Sequence, residues 1–289
     1  MQVNNTYVDE AYSTMFVENL RPDSFLVDGV TFSSKYSKGD PKAGVVWFHK
    51  LVTSIVTSEA VGKNYTHTDA DNSLVPIYLT NAFRSSKNLR GVIASQITAP
   101  YMDQVATEQA KDVRVGKDLT AIAGLVFGGT NADDTEAITS DNVISKIVAL
   151  RKKLKKKKVT PNVLLVSPDV EAELTNAHLT KSIFTPVTNE DLIKAGVIGK
   201  YLGMYVFSRV ELAESSNNAV TYRNNEVHSV DLSKVDMVMY NSDFFGKVDS
   251  FEEARMAPSN EFAGYYANIE QNTGFGVLNA DAVLVKKNA

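Results

Sequence analysis

The chain has 289 residues, 44% of them hydrophobic and 22% charged, enough to bury one large core or two ordinary ones. Its 30 basic and 34 acidic residues leave a net charge of −4, whereas a dedicated nucleic-acid binder carries a basic excess. With no cysteine, disulfide frameworks, thiolate zinc sites and thiol nucleophiles are excluded.

The opening MQVNNTYVDEAYSTMF lacks the basic start and apolar run of a signal peptide, and no stretch is apolar for the length of a membrane span. The expectation is a soluble intracellular protein with no membrane partner. Residues 1–45 show little periodicity and carry breakers at Pro22, Gly29, Gly39, Pro41 and Gly44, which reads as an extended arm. From Val45, VVWFHKLVTSIVTSEAV and then LVPIYLTNAF are strand-like on either side of the polar GKNYTHTDADNS. That pattern predicts a long two-stranded hairpin, which needs another surface to lie on.

Pro100 suits a first helical turn, and YMDQVATEQAKDVRVGKDLTAIAGLVF continues without another proline to Gly128 and Gly129. This predicts a rod of roughly 40 Å, weakened or broken at Gly116. A second helix, capped by Thr139 or Ser140, places Val143, Ile147, Leu150 and Leu154 on one face. It ends in RKKLKKKK, where cations complement the helix dipole. NVLLV reads as a buried strand, and Ser167, Pro168 and Asp169 as the cap and first turn of a third helix. DLIKAGVIGKYLGMYVFSR predicts a short helix, a glycine-rich turn and a strand; VDMVMY is another strand. The terminal YYANIEQNTGFGVLNADAVLVKK reads as two strands joined near Gly274 and Gly276. Interleaved elements without a βαβ period or internal repeat make the class α+β.

Chemistry-bearing patterns are sparse. His49, His67, His178 and His228 stand at no metal-ligand spacing. Asp69, Asp71 and Ser73 open like a calcium loop, but Leu74 stands where glycine is needed and Thr80 where glutamate is needed. Gly196, Gly199 and Gly203 fit a tight turn and close packing better than a phosphate cradle. Asp249, Glu252 and Glu253 offer paired carboxylates, with an exposed acidic face as the commoner outcome. No G-x-S-x-G elbow occurs, so the expectation is no enzyme and no cofactor. Arg151, Lys152, Lys153, Lys155, Lys156, Lys157 and Lys158 read first as a solvated helix end, and second as a nucleic-acid contact.

The order of the blocks carries more. TPNVLLVSPDVEAEL, GVIGKYLGMYVFSR and NADAVLVKK follow the arm, hairpin and long helix. In that order the chain resembles the major capsid proteins of tailed bacteriophages, whose fold is shared by herpesvirus shells and bacterial nanocompartments. The resemblance implies an N-terminal arm over 1–45 and an extended β-hairpin loop with the entry to a peripheral domain over 46–95. It further implies a peripheral domain with a long spine helix over 96–135, an axial domain over 136–250 and return strands of the peripheral domain over 251–289. The implied function is self-assembly through pentamers and hexamers into an icosahedral shell around a double-stranded DNA genome, in a virion assembled in the host cytoplasm. Implied partners are other copies of the chain, a separate scaffolding protein, a portal and packaged DNA touched non-specifically by the basic run. Two alternatives stand beside it: a nanocompartment shell with protein cargo, and a non-specific nucleic-acid-binding protein. Some members cross-link Lys to Asn; Lys63, Asn64 and Asn288 are candidates, but no pair is singled out and no cross-link is expected.

Overall fold

The computed structural model describes residues 24–35, 37–49, 74–79, 81–90, 99–181, 184–212, 218–222 and 226–288. Three short antiparallel strands come first, in the order β1 (Ser37–Lys38), β2 (Val45–His49) and β3 (Leu74–Tyr78). β2 and β3 are the base of the expected hairpin; its polar tip lies outside the described residues. The second limb does not run on to Phe83 in one piece. A separate strand, β4 (Asn81–Arg90), joins another sheet.

Ala99–Gly128 forms one 30-residue helix, α1, about 45 Å long. Gly116 does not break it. A Cβ there would stand 3.2 Å from the Phe83 ring, so the glycine makes room for β4. The two halves of α1 serve different cores. Val105, Ala106, Ala110 and Val113 pack on Leu89, Ala254, Met256, Ala267 and Ile269. Those belong to a three-stranded antiparallel sheet ordered β12-β13-β4 in the chain's numbering, where β12 is Phe245–Pro258 and β13 is Gly264–Val277. Beyond it, Ala121, Ile122 and Leu125 enter the larger core.

That core is built on a six-stranded sheet of β5 (Thr130–Asn131), β6 (Val163–Val166), β7 (Val197–Tyr201), β8 (Met204–Ser208), β11 (Val235–Tyr240) and β14 (Val283–Lys287). Their order is β5-β14-β11-β6-β8-β7, with β6–β8 and β14–β5 parallel and the other pairs antiparallel. Val163, Leu165, Val238, Tyr240, Val283 and Val285 face α1. Alternate residues, Leu164, Val166, Met237, Met239 and Leu284, face two helices on the other side, α2 (Val143–Lys156) and α3 (Pro168–Lys181). Burial on both faces explains why these strands read as continuous apolar runs. A short α4 (Glu190–Lys194) precedes β7. An antiparallel hairpin of β9 (Asn218–Tyr222) and β10 (Glu226–Val230), absent from the sequence reading, lies against α1.

The α+β class holds, as does the stripe Val143, Ile147, Leu150 and Leu154, all buried to 3% exposure or less. Four local readings need correction. Asn142, not Thr139 or Ser140, caps α2, and its Oδ1 turns back to accept from the Thr139 N–H at 2.9 Å. Gly199 lies inside β7, where a Cβ would stand 3.1 Å from Phe184 and the close packing expected of these glycines is found. Only Gly203 serves the β7–β8 turn, with φ +84° after Leu202 at φ +50°. The strand break is not at Gly274 and Gly276: β13 runs through both to Val277. Residues 251–289 also do not stay together, because β12 and β13 share a sheet with β4 while β14 sits between β11 and β5. The Val-Leu-Val run of β14 needs apolar cover on both faces, which a place inside the six-stranded sheet supplies.

The β13 glycine has a packing reason. Val46, Phe48, Val75 and Ile77 bury one side of the hairpin base against Val248 and Leu278. A Cβ at Gly274 would lie 2.5 Å from the Tyr78 carbonyl oxygen, so there the two backbones touch directly. One at Gly246 would lie 2.7 Å from Ile77 Cδ1, so that glycine admits a side chain. Gly274→Ala is expected to cost about 1–3 kcal/mol through overpacking. Gly124→Ala, in α1 with an ordinary 3.8 Å contact to Phe275, is expected to stabilise by about 0.5–1 kcal/mol. Urea unfolding of the two variants checks both signs.

Candidate functional site

Among the described residues, no group of three His, Asp or Glu side chains is placed to hold a metal ion. His178 Nδ1 accepts the Phe184 N–H at 3.1 Å, and His228 stacks on Phe127 with centroids 4.2 Å apart. His49 is half-buried on β2, while His67, Asp69, Asp71, Ser73, Lys63 and Asn64 lie outside the described residues. Asn288 donates from Nδ2 to Asp236 Oδ1 at 3.1 Å; Asp236 also pairs with the fully buried Lys286 at 3.2 Å.

Asp249 and Glu253 are exposed, as an acidic face requires, but both are paired with cations; the Glu252 side chain lies outside those described. Asp249 is drawn into an ion pair on both sides, with Lys247 Nζ at 2.6 Å and Lys117 Nζ at 3.4 Å, and accepts from Thr273 Oγ1 at 2.7 Å. Burial alone would raise its carboxyl; the two lysines outweigh that and hold it below the ordinary aspartate range. Glu253 pairs along its own strand with Arg255 at 3.6 Å.

Next to Lys117 on α1, Asp118 points to the other sheet. Arg209, just past β8, reaches Asp118 Oδ2 at 2.7 Å and Glu211 Oε1 at 2.8 Å. Ser24 Oγ donates to Asp118 Oδ1 at 2.5 Å and the Phe25 N–H to Oδ2 at 3.4 Å. Phe25 is fully buried with the Arg209 guanidinium 5.0 Å from its ring centre. Burial pushes Asp118 above the ordinary aspartate value in spite of Arg209. Sequence reasoning passed over this node. Its signal was KD, an adjacent opposite-charge pair inside the apolar half of a long helix.

The basic run divides by environment. Lys153 Nζ donates to the Ala132 carbonyl, Lys157 pairs with Asp281 at 2.6 Å, and Arg151 is half-buried. Lys152, Lys155, Lys156 and Lys158 are exposed and pair with no described residue. The helix end is closed by the backbone itself. Val159 N–H donates to Leu154 O at 3.1 Å and Lys158 N–H to Lys155 O at 3.0 Å, with Lys158 left-handed at φ 61°.

No protein-family model matches the sequence, and no curated protein sequence matches it either. Solved structures do match across nearly the whole chain. The capsid structure of cyanophage P-SCSP1u is similar over 92% of this chain and 87% of its own, at 13% identity and a TM-score of 0.59. The bacteriophage PhiM1 mature capsid matches over 93% and 86%, at 12% identity and 0.55. A virus-like particle from Pyrococcus furiosus matches over 97% and 99%, at 10% identity and 0.55. The chain therefore has the capsid fold of tailed phages, in a form that the virus-like particle shares.

Arg209 is the cation between two carboxylates, so its loss strands both. Arg209→Met is expected to cost about 3–5 kcal/mol, and Asp118→Asn much less because Arg209 keeps Glu211. In Arg209→Met, only Ser24 and Phe25 oppose burial at Asp118, whose folded pKa then lies still further above its unfolded one. Stability of that variant should fall as pH rises above the ordinary aspartate range and through the folded value, which urea unfolding curves taken from acid to neutral pH measure.

Proposed function

We propose that the chain is the major capsid protein of a tailed bacteriophage, a non-enzymatic subunit that assembles through pentamers and hexamers into an icosahedral shell around double-stranded DNA. The observation that carries this reading is the fold likeness to two phage capsid subunits over 92% and 93% of the chain, nearly end to end. In this reading the segment before Ser24 is the part of the 1–45 arm that reaches across neighbouring subunits, whereas Phe25 and Phe32 belong to the chain's own core. The hairpin rising from β2 and β3 is an extended loop over an adjacent subunit. The outward side of its base fits such a role, with Trp47 and Leu74 each about two-fifths exposed. α1 is the spine helix of a peripheral domain that includes β4, β12 and β13. The six-stranded sheet with α2 and α3 is the axial domain that gathers at capsomer centres, and it includes β14. Weak contacts repeated by symmetry supply the strength of such a shell. A separate scaffolding protein and a portal are its expected partners, with assembly in the host cytoplasm and the virion as destination.

The likeness to a virus-like particle supports a second reading, a nanocompartment shell with protein cargo. Size-exclusion light scattering and negative-stain electron microscopy of the expressed chain test both. Pentamers, hexamers, closed shells or tubes are expected, and nucleic acid or protein inside purified particles separates the two readings. A chain that remains monomeric at every concentration and salt, alone and with its scaffolding partner, sinks both. Replacing residues 50–73 by a short turn should leave soluble capsomers that no longer close.

A further inference from the structure

The basic end of α2 carries more charge than its own fold uses. A helix C-terminus presents about half a negative charge, and here the Leu154 and Lys155 carbonyls are already taken by the backbone turn at Lys158. Lys153 and Lys157 have protein partners, whereas Lys152, Lys155, Lys156 and Lys158 do not have any among the described residues. At 3.6 residues per turn, Lys152, Lys155 and Lys156 fall within about 100° of arc, opposite the buried stripe Val143, Ile147, Leu150 and Leu154. Like charges three and four residues apart repel, so in the isolated chain this arrangement opposes folding. The acids near this end are Asp281, taken by Lys157, and Asp243, exposed on the turn after β11. Asp134 and Glu136 lie at the other end of α2, where Lys146 holds them at 2.9 and 2.5 Å. The helix is thus polarised, and its rigid seat on the sheet holds the lysines in a fixed array.

We propose that Lys152, Lys155, Lys156 and Lys158 form a phosphate-binding face for duplex nucleic acid, read without sequence preference. Its biological placement rests on the shell reading: it makes the α2 side of the six-stranded sheet the lumenal side. Lys153 and Lys157 are tied to Ala132 and Asp281, and Arg151 is half-buried, so these three contribute little.

The test is fluorescence anisotropy of the full-length chain with labelled duplex DNA across a salt series. Each phosphate neutralised contributes about −0.9 to the slope of log K against log salt. The quadruple variant K152Q/K155Q/K156Q/K158Q should therefore lose about 3.6 of slope, each single Lys→Gln about 0.9, and the matching quadruple Arg variant none. The single variants keep the measurement informative if the quadruple one fails to fold. An unchanged slope in the Gln variants, no duplex binding by the parent chain at low salt, or preference for poly-glutamate over duplex at equal charge each overturns the proposal. Electron microscopy of the same samples separates the two readings. Assembly-competent capsomers read before closure, with their lysines open to added duplex, reject the phosphate face alone if the slope is unchanged; slope loss in a chain that never assembles supports the face and rejects its lumenal placement.

Discussion

Two adjacent residues of one helix join the halves of this molecule. Lys117 and Asp118 stand side by side on α1, about 100° apart around its axis. One reaches Asp249 in the three-stranded sheet, and the other Arg209 at the edge of the six-stranded sheet. On either side of this point the helix is apolar, with Val105 to Val113 in one core and Ala121 to Leu125 in the other. Buried charges contribute little net stability, because desolvation offsets most of their attraction. Their consequence is geometric. Each pair has one satisfactory arrangement, so each fixes the rotation of α1 against one sheet.

Other contacts inherit that geometry. Asp118 also holds Ser24 and the Phe25 backbone, so the point where the N-terminal segment enters the fold is set by the same carboxylate. The hairpin base is located by Gly246 and Gly274, whose bare backbones admit Ile77 and Tyr78 at contact distance. On the proposed shell reading, an arm and a long loop that act on neighbouring molecules need such firm roots. Stability concentrated at the roots is compatible with weak contacts elsewhere.

The proposed shell role explains why chemistry-bearing motifs were scarce. Carboxylates that read as a candidate acid pair are structural ions, and the glycines that loosely resembled a phosphate cradle shape a β-hairpin. The basic run is mixed: some of its cations tie α2 to the Ala132 and Asp281 segments, and others face solvent. Sequence spacing could not divide them. A lysine's long stem lets the same residue type serve either purpose, depending on which loop lies within reach.

Periodicity alone made the α+β class, the long helix, the buried stripe of α2 and the mainly apolar strands β6 and β11 legible, because 3.6- and 2-residue repeats are local properties of the chain. The order of those blocks also pointed to the capsid fold. Tertiary structure decided the rest. It ran β13 straight through Gly274 and Gly276, because those glycines answer a neighbouring backbone and not a turn. It moved β14 into the six-stranded sheet, where both faces of Val283 to Val285 are covered. It also buried Asp118 against a cation 91 residues away along the chain, and paired the more exposed Asp249 with one 132 residues away. Contacts at such separations leave no local period, so only the folded molecule reveals them.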